Sequence, residues 1–298
     1  MNKRTQFLLT ILLVVFAGIV FAQEDASADR TVIAFSDPMK PGLIEARVLN
    51  GKITVQGYEG KEVIVEAQSS GKVLRHGEKD LEHQQRELEH EGGEHESNEK
   101  TKRSTEGMRK LQSSGTGLKV YEKNNVIEIV THTPTTVDIN IKVPYSTSLH
   151  LKSELNGGIV VEKVRGEIEA KSLNGYIKLN GVTGSVVAET LNGAIEAFFD
   201  KVDSKKPYAF TSLNGDIDVT FPADVKANVQ LKSQMGDIYT DFNITLSRRN
   251  EKKVEDRRGE GGELEIKIGE AMFGQINGGG IEMIFENFNG DIFIRKHK

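Results

Sequence analysis

The sequence predicts an all-β protein, a β-solenoid in which short strands stack as a single β-helix-like coil with Asn-Gly corners. Three observations predict it: a recurring Leu-Asn-Gly-x-Ile step, apolar and polar residues alternating between the steps, and abundant glycine with no tryptophan.

The step is clearest from residue 155 onward. Leu155-Asn156-Gly157-Gly158-Ile159 returns as Leu173-Asn174-Gly175-Tyr176-Ile177, Leu191-Asn192-Gly193-Ala194-Ile195 and Leu213-Asn214-Gly215-Asp216-Ile217. The first two intervals are 18 residues and the third is 22, lengthened by a polar loop from Asp203 to Pro207. Weaker copies follow at Met235-Gly236-Asp237-Ile238, Ile276-Asn277-Gly278-Gly279-Gly280-Ile281 and Phe288-Asn289-Gly290-Asp291-Ile292, and Leu49-Asn50-Gly51-Lys52-Ile53 precedes them. Half-steps at Val164-Arg165-Gly166-Glu167-Ile168 and Val182-Thr183-Gly184-Ser185-Val186 divide each unit into two strands and two turns.

Alternation such as Ile177-Lys178-Leu179 and Ile217-Asp218-Val219-Thr220-Phe221 means one face buried and one wet. Asn and Gly tolerate positive φ and let the chain corner sharply. Asn-Gly between alternating strands is also a hairpin signal, so an antiparallel meander or a sandwich is the alternative. The fixed period favours the solenoid, in which equivalent corners lie over one another. Two inward columns are expected, Leu155, Leu173, Leu191 and Leu213 in one, and Ile159, Ile177, Ile195 and Ile217 in the other.

The run from Val143-Pro144 through Leu149, Leu151 and the successive Asn-Gly-x-Ile steps resembles a bacterial β-strand-repeat family, a 4097-type domain of unknown function labelled as candidate adhesins. The resemblance extends over roughly 30–298 and is most specific over 137–242. It implies an exported repetitive β fold acting at the cell envelope, and its motif supplies no catalytic residues.

Lys3 and Arg4 followed by the apolar run Phe7–Phe21 and a small Ala22 have the form of a signal peptide, expected over 1–22. The run is shorter than the about 20 residues of a spanning helix. Export to the periplasm, cell surface or medium follows, and with no cysteine the chain has neither disulfides nor a thiol-linked lipid. The β-repeat domain is expected over 30–298. It is interrupted by a charged, His/Glu-rich insert at 68–117 and a polar loop at 245–263. Closing the chain, Arg295-Lys296-His297-Lys298 is suited to guarding the end of a coil against edge-to-edge growth.

Chemistry is sparse. His76, His83, His90 and His95 lie among glutamates in the insert and are weak metal candidates. Their spacings of seven, seven and five do not match the three or four residues of a helical ligand pair. A short helix over Glu78–Glu91 has only Leu81 and Leu88 to anchor it. Arg248-Arg249-Asn250-Glu251-Lys252-Lys253 and Arg257-Arg258 read as a solvated loop, diluted by Glu251, Glu255 and Asp256. His132 and His150 have no motif partner, and Asp216, Asp218, Asp237 and Asp291 follow glycine turns without the calcium-binding nonapeptide pattern. Hydrolase, metalloprotease and nucleotide-binding motifs are absent. A net charge of −5 without a clustered basic face gives no reason to expect nucleic acid.

The reading is a non-enzymatic envelope scaffold or adhesion module. No cofactor is expected. It would offer outward residues such as Glu167, Glu169, Lys171 and Lys178 to a glycan, an envelope protein or its own copies. The alternatives are a polysaccharide-acting enzyme on a β-helix, which needs converging carboxylates, and a metal- or pH-responsive sensor built on the histidine insert.

Overall fold

Alternation with period two makes ribbons that are apolar on one face, and two such faces bury each other. In the computed structural model this pairing runs the length of the molecule. The structure describes residues 29–73, 115–131, 135–203, 205–256 and 264–297. Every element described is a strand: β1 (Asp29–Ala34), β2 (Leu43–Asn50), β3 (Ile53–Tyr58), β4 (Glu62–Val73), β5 (Leu118–Lys123), β6 (Val126–Thr131), β7 (Thr135–Pro144), β8 (Ser148–Asn156), β9 (Ile159–Glu162), β10 (Ile168–Asn174) and β11 (Ile177–Val182). These are followed by β12 (Val186–Asn192), β13 (Ile195–Phe199), β14 (Tyr208–Asn214), β15 (Ile217–Phe221), β16 (Ala227–Ser233), β17 (Ile238–Thr240), β18 (Ile244–Asp256), β19 (Leu264–Ile276), β20 (Ile281–Asn289) and β21 (Ile292–Lys296).

They form two mixed sheets around one apolar core. The first sheet has ten strands in the order β1-β4-β7-β3-β9-β11-β13-β15-β21-β17, and the second has eleven in the order β18-β19-β16-β20-β14-β12-β10-β8-β2-β6-β5. From β8 to β15 the chain alternates between the sheets, and each strand pairs in parallel with the strand two places on. The all-β expectation holds, and in this region the pairing is parallel rather than that of an antiparallel meander.

The isoleucine column is present and longer than expected. Ile139, Ile53, Ile159, Ile177, Ile195, Ile217, Ile292 and Ile238 face one another on successive strands of the first sheet. All but Ile238, which is partly buried, are fully buried. Toward the C-terminal half the interior column that carries Ala170 and Ala188 continues as Phe210 and Phe285, and aromatic rings pack the core. Phe199 stacks on Phe221 at 5.0 Å and Phe210 on Phe285 at 5.2 Å.

The expected inward leucine column is a correction. Leu155, Leu173, Leu191 and Leu213 point outward. Counting in twos from Ile168 or Val186 puts Ala170 and Ser172, or Ala188 and Thr190, inside, so the next residue, Leu173 or Leu191, falls outside. What occupies the interior is a hydroxyl column. Ser172 Oγ donates to the Gly157 carbonyl at 3.1 Å, Thr190 Oγ1 to that of Gly175 at 3.0 Å and Ser212 Oγ to that of Gly193 at 3.1 Å. A buried hydroxyl is tolerated when it is satisfied in this way.

The corners also differ in their physical cause. Asn156, Asn174, Asn192 and Asn214 are not among the positive-φ residues, and neither are Gly175 and Gly193. Glycine is needed because corners touch: a Cβ on Gly175 would lie 2.0 Å from the Gly157 carbonyl oxygen. The asparagines hold the stack from outside, Asn192 Nδ2 donating to Asn174 Oδ1 at 2.7 Å and Asn214 Nδ2 to Asn192 Oδ1 at 2.8 Å.

At both ends the order along the stack departs from the order along the chain. The β2/β3 pair slots between β6/β7 and β8/β9, and the β20/β21 pair slots between β14/β15 and β16/β17. Arg295 and Lys296 therefore lie on an interior strand and do not guard an end. The step Ile276–Ile281 is not a corner between sheets, since β19 and β20 both pair with β16, on opposite sides. Residues 244–256, expected largely as loop, form β18 along β19, and β4 continues through Val73 into the span assigned to the insert. The expected leader at 1–22, the helix at Glu78–Glu91, His76, His83, His90, His95, His132 and Arg257-Arg258 lie outside the described residues.

Candidate interaction surface

Parallel, in-register stacking multiplies whatever the repeat places outside. On the second sheet it multiplies leucine. Leu155, Leu173, Leu191, Leu213 and, through the pairing of Asn214 with Asn289, Phe288 form one stripe over five strands, each between 37% and 41% exposed. At about 4.8 Å per strand the stripe spans about 19 Å.

A charged row runs beside it in register: Arg47, Lys152, Lys171, Glu189, Thr211, Glu286 and Lys232 on β2, β8, β10, β12, β14, β20 and β16. Lys152 Nζ lies 3.2 Å from Glu154, and Lys171 Nζ lies 3.0 Å from Glu169 and 3.7 Å from Glu189. The hydrogen bond that Lys171 donates to Glu169, reinforced by the charge of Glu189, raises the pKa of the Lys171 amine above its ordinary value. Stripe and row enclose an open groove of about 530 Å³ whose floor is the strand backbone carrying Ser172, Thr190 and Ser212.

The other singled-out residues do not converge. Glu169 and Lys171 belong to β10 in the second sheet, Lys178 belongs to β11 in the first, and Glu167 precedes β10 and pairs with Lys206. Lys178 Nζ donates to Glu196 Oε2 at 2.7 Å, which raises the pKa of the amine. His150 stands on β8 between Glu45 and Glu169, Nδ1 3.6 Å from one and Nε2 3.9 Å from the other. Asp216 and Asp291 use their carboxylates structurally: Asp216 Oδ1 accepts the Asp291 N–H and Asp291 Oδ1 accepts the Asp237 N–H, both at 2.9 Å. Asp218 receives Arg295 Nε at 2.7 Å. No group of three His, Asp or Glu placed to hold a metal occurs among the described residues.

The outward position of the stripe depends on the phase of the alternation in each strand. Its leucines are conspicuous in the sequence, but the signal for their outward position is the Ser or Thr that precedes each central one.

The central strands carry the decisive repeat. Residues 159–268 match the Toastrack DUF4097 family. This is the β-strand-repeat family that the Asn-Gly-x-Ile steps resemble, and the matched stretch runs from the start of β9 into β19. Among solved structures the chain is similar to a candidate cell adhesion protein from Clostridium sporogenes ATCC 15579, at 11% identity over 91% of this chain and 100% of that one, with a TM-score of 0.39. It is also similar to a candidate adhesin from Bacteroides fragilis NCTC 9343, at 9% identity over 91% of this chain and 97% of that one, with a TM-score of 0.25. Among curated proteins nothing matches.

Proposed function

We propose that the protein is an exported, non-enzymatic β-solenoid of the cell envelope that acts as an interaction or adhesion module, with the leucine stripe and its charged row as the contact surface. The observation that carries this reading is the stripe itself. Five large apolar side chains stand outward in one line on a frame held by backbone ladders, where solvent would ordinarily select polar residues. A linear partner with an apolar edge, such as an extended envelope protein segment or the ring faces of a glycan chain, would lie along the groove, its polar groups meeting Lys152, Lys171 and Glu189. The charged residues are paired with one another, which suits recognition along a line better than proton transfer at a point.

The test is binding of the purified protein to isolated envelope preparations, with Leu173, Leu191 and Leu213 replaced together by serine. Binding should fall while the melting curve is kept, because all three are surface residues. Turnover of a glycan panel, measured alongside and abolished by one carboxylate substitution, would overturn the non-enzymatic reading.

A further inference from the structure

The two ends of the stack are unfinished in opposite senses. Beyond the β16/β17 pair the second sheet continues by two strands, β19 and β18, whereas the first stops at the three-residue β17. Beyond the β6/β7 pair at the other end, the first sheet continues by two strands, β4 and β1, and the second by one, β5. The overhang of each sheet at one end thus faces that sheet's shortfall at the other, and the two steps interlock to within one strand spacing, about 4.8 Å.

Strand direction agrees as well. Two antiparallel pairings carry β1 back to the direction of β7, and parallel pairings carry that direction through the first sheet to β17. A second copy translated along the stack would therefore bring its β1 to β17 as a parallel strand, the same relation that builds the column. In the second sheet β18 runs with β16, and β5 runs against β6, so β18 and the copy's β5 would meet antiparallel.

Natural edge strands are usually defended by charges, proline or bulges. Here β17 carries no charged residue, and although β1, β5 and β18 carry charges such as Arg30, Lys119 and Arg248, each of the four terminal strands also exposes a large apolar side chain: Val32 on β1, Tyr121 on β5, Tyr239 on β17 and Leu246 on β18. Around β17 the column stops short. Ile238 is only partly buried while the other seven isoleucines are closed over, and Tyr239 is stacked on Phe293 at 5.1 Å with its outer side at the sheet edge. Asp237 is the last carboxylate in the corner column; in place of the N–H of a following strand, its Oδ2 accepts the Tyr239 hydroxyl of β17 at 3.3 Å.

We infer that the protein associates head to tail with further copies of itself, β17 and β18 of one copy receiving β1 and β5 of the next. This deepens the proposed function, since it repeats the leucine stripe once in every copy on the same face of one assembly, and it rests on that reading only for its purpose. Such an interface is heterologous and open, so it builds linear assemblies rather than closed dimers.

Sedimentation velocity of the purified protein over a concentration series tests it. Val32→Lys places a charge on the outward face of β1. Thr240→Pro removes an N–H directed to the open edge, because the Asp237 carbonyl accepts the Ile292 N–H and the parallel register with β21 turns the backbone of Thr240 the other way; it also removes the hydroxyl that accepts the Phe242 N–H. Tyr239→Lys serves in place of Thr240→Pro if proline disturbs the fold, as judged by circular dichroism. Wild type should sediment faster as concentration rises, and each variant should associate at least about tenfold more weakly. An equimolar mixture of Val32→Lys and Thr240→Pro should recover a dimer that grows no further, because one variant keeps the receiving end and the other the entering end. A wild type that stays monomeric to about 1 mM overturns the inference, as does a Val32→Lys variant that associates like wild type. Monomers that still bind envelope preparations would leave the proposed function standing, whereas assemblies that do not bind them would remove that function and keep this interface.

Discussion

Replacing Ile177 with aspartate tests which side of the ribbon is the inside. Ile177 is fully buried between Ile159 and Ile195, in register with both. Losing its burial costs about 1.5–3 kcal/mol. An unpaired carboxylate in that column adds several kcal/mol more, so the sum reaches about 5 kcal/mol, comparable with the whole stability of a marginal domain. Each strand pair supports its neighbours, so the loss should spread through the central strands. Leu173→Asp, four residues earlier and outward, should cost about 0.5–1 kcal/mol. Thermal melting followed by far-ultraviolet circular dichroism reads the difference, with hydrogen exchange over β9–β15 locating it. The pH dependence has a definite sign: burial raises the introduced carboxyl's pKa above the about 3.9 of an unfolded aspartate, so the damage is full above the raised value and eases as pH falls through it. Comparable losses for Ile177→Asp and Leu173→Asp would refute the assignment of inside and outside.

Gly193→Ala should destabilise by about 1–3 kcal/mol in urea unfolding, because its Cβ would lie 2.3 Å from the Gly175 carbonyl oxygen and force two corners apart. Gly278→Ala should cost only about 1 kcal/mol, since that residue has open space and a φ of 84° to contend with; the reverse order would show that corner contact is not what selects glycine. Tyr208, whose hydroxyl oxygen accepts the Asp203 N–H at 2.8 Å, has its phenol pushed up to about 12 by burial. A raised folded pKa means a contribution intact below the unfolded value of about 10 and lost as pH climbs toward 12. Tyr208→Phe should therefore flatten the alkaline fall in stability between pH 9 and 12, and an unchanged slope in urea melts across that range would contradict the burial argument.

Much of the central architecture follows from local rules. An 18-residue period, alternation by two and glycine at every corner are enough to expect all-β structure with the isoleucines stacked, because each depends on neighbours a few residues away. The outward leucines needed one further inference, that Ser172, Thr190 and Ser212 are buried. A hydroxyl looks like a surface residue until the Gly157, Gly175 and Gly193 carbonyls of the preceding corners are within its reach. Such partners lie 15 to 19 residues away in the chain, and only stacking brings them together.

By itself the sequence determined the strand class, the positions of the corners and the isoleucine column, since pattern is a property of the chain; that glycine is required at Gly175 and Gly193 by contact between stacked corners was decided by the tertiary structure. Tertiary structure alone decided that β2/β3 and β20/β21 are inserted out of chain order, and that β1, β5, β17 and β18 are left as edges. Every repeat presents nearly the same stacking face, so the local pattern does not distinguish one neighbour from another. The choice is made by contacts between distant segments, such as Ile217 with Ile292 and Ile53 with Ile139, which a linear pattern does not encode.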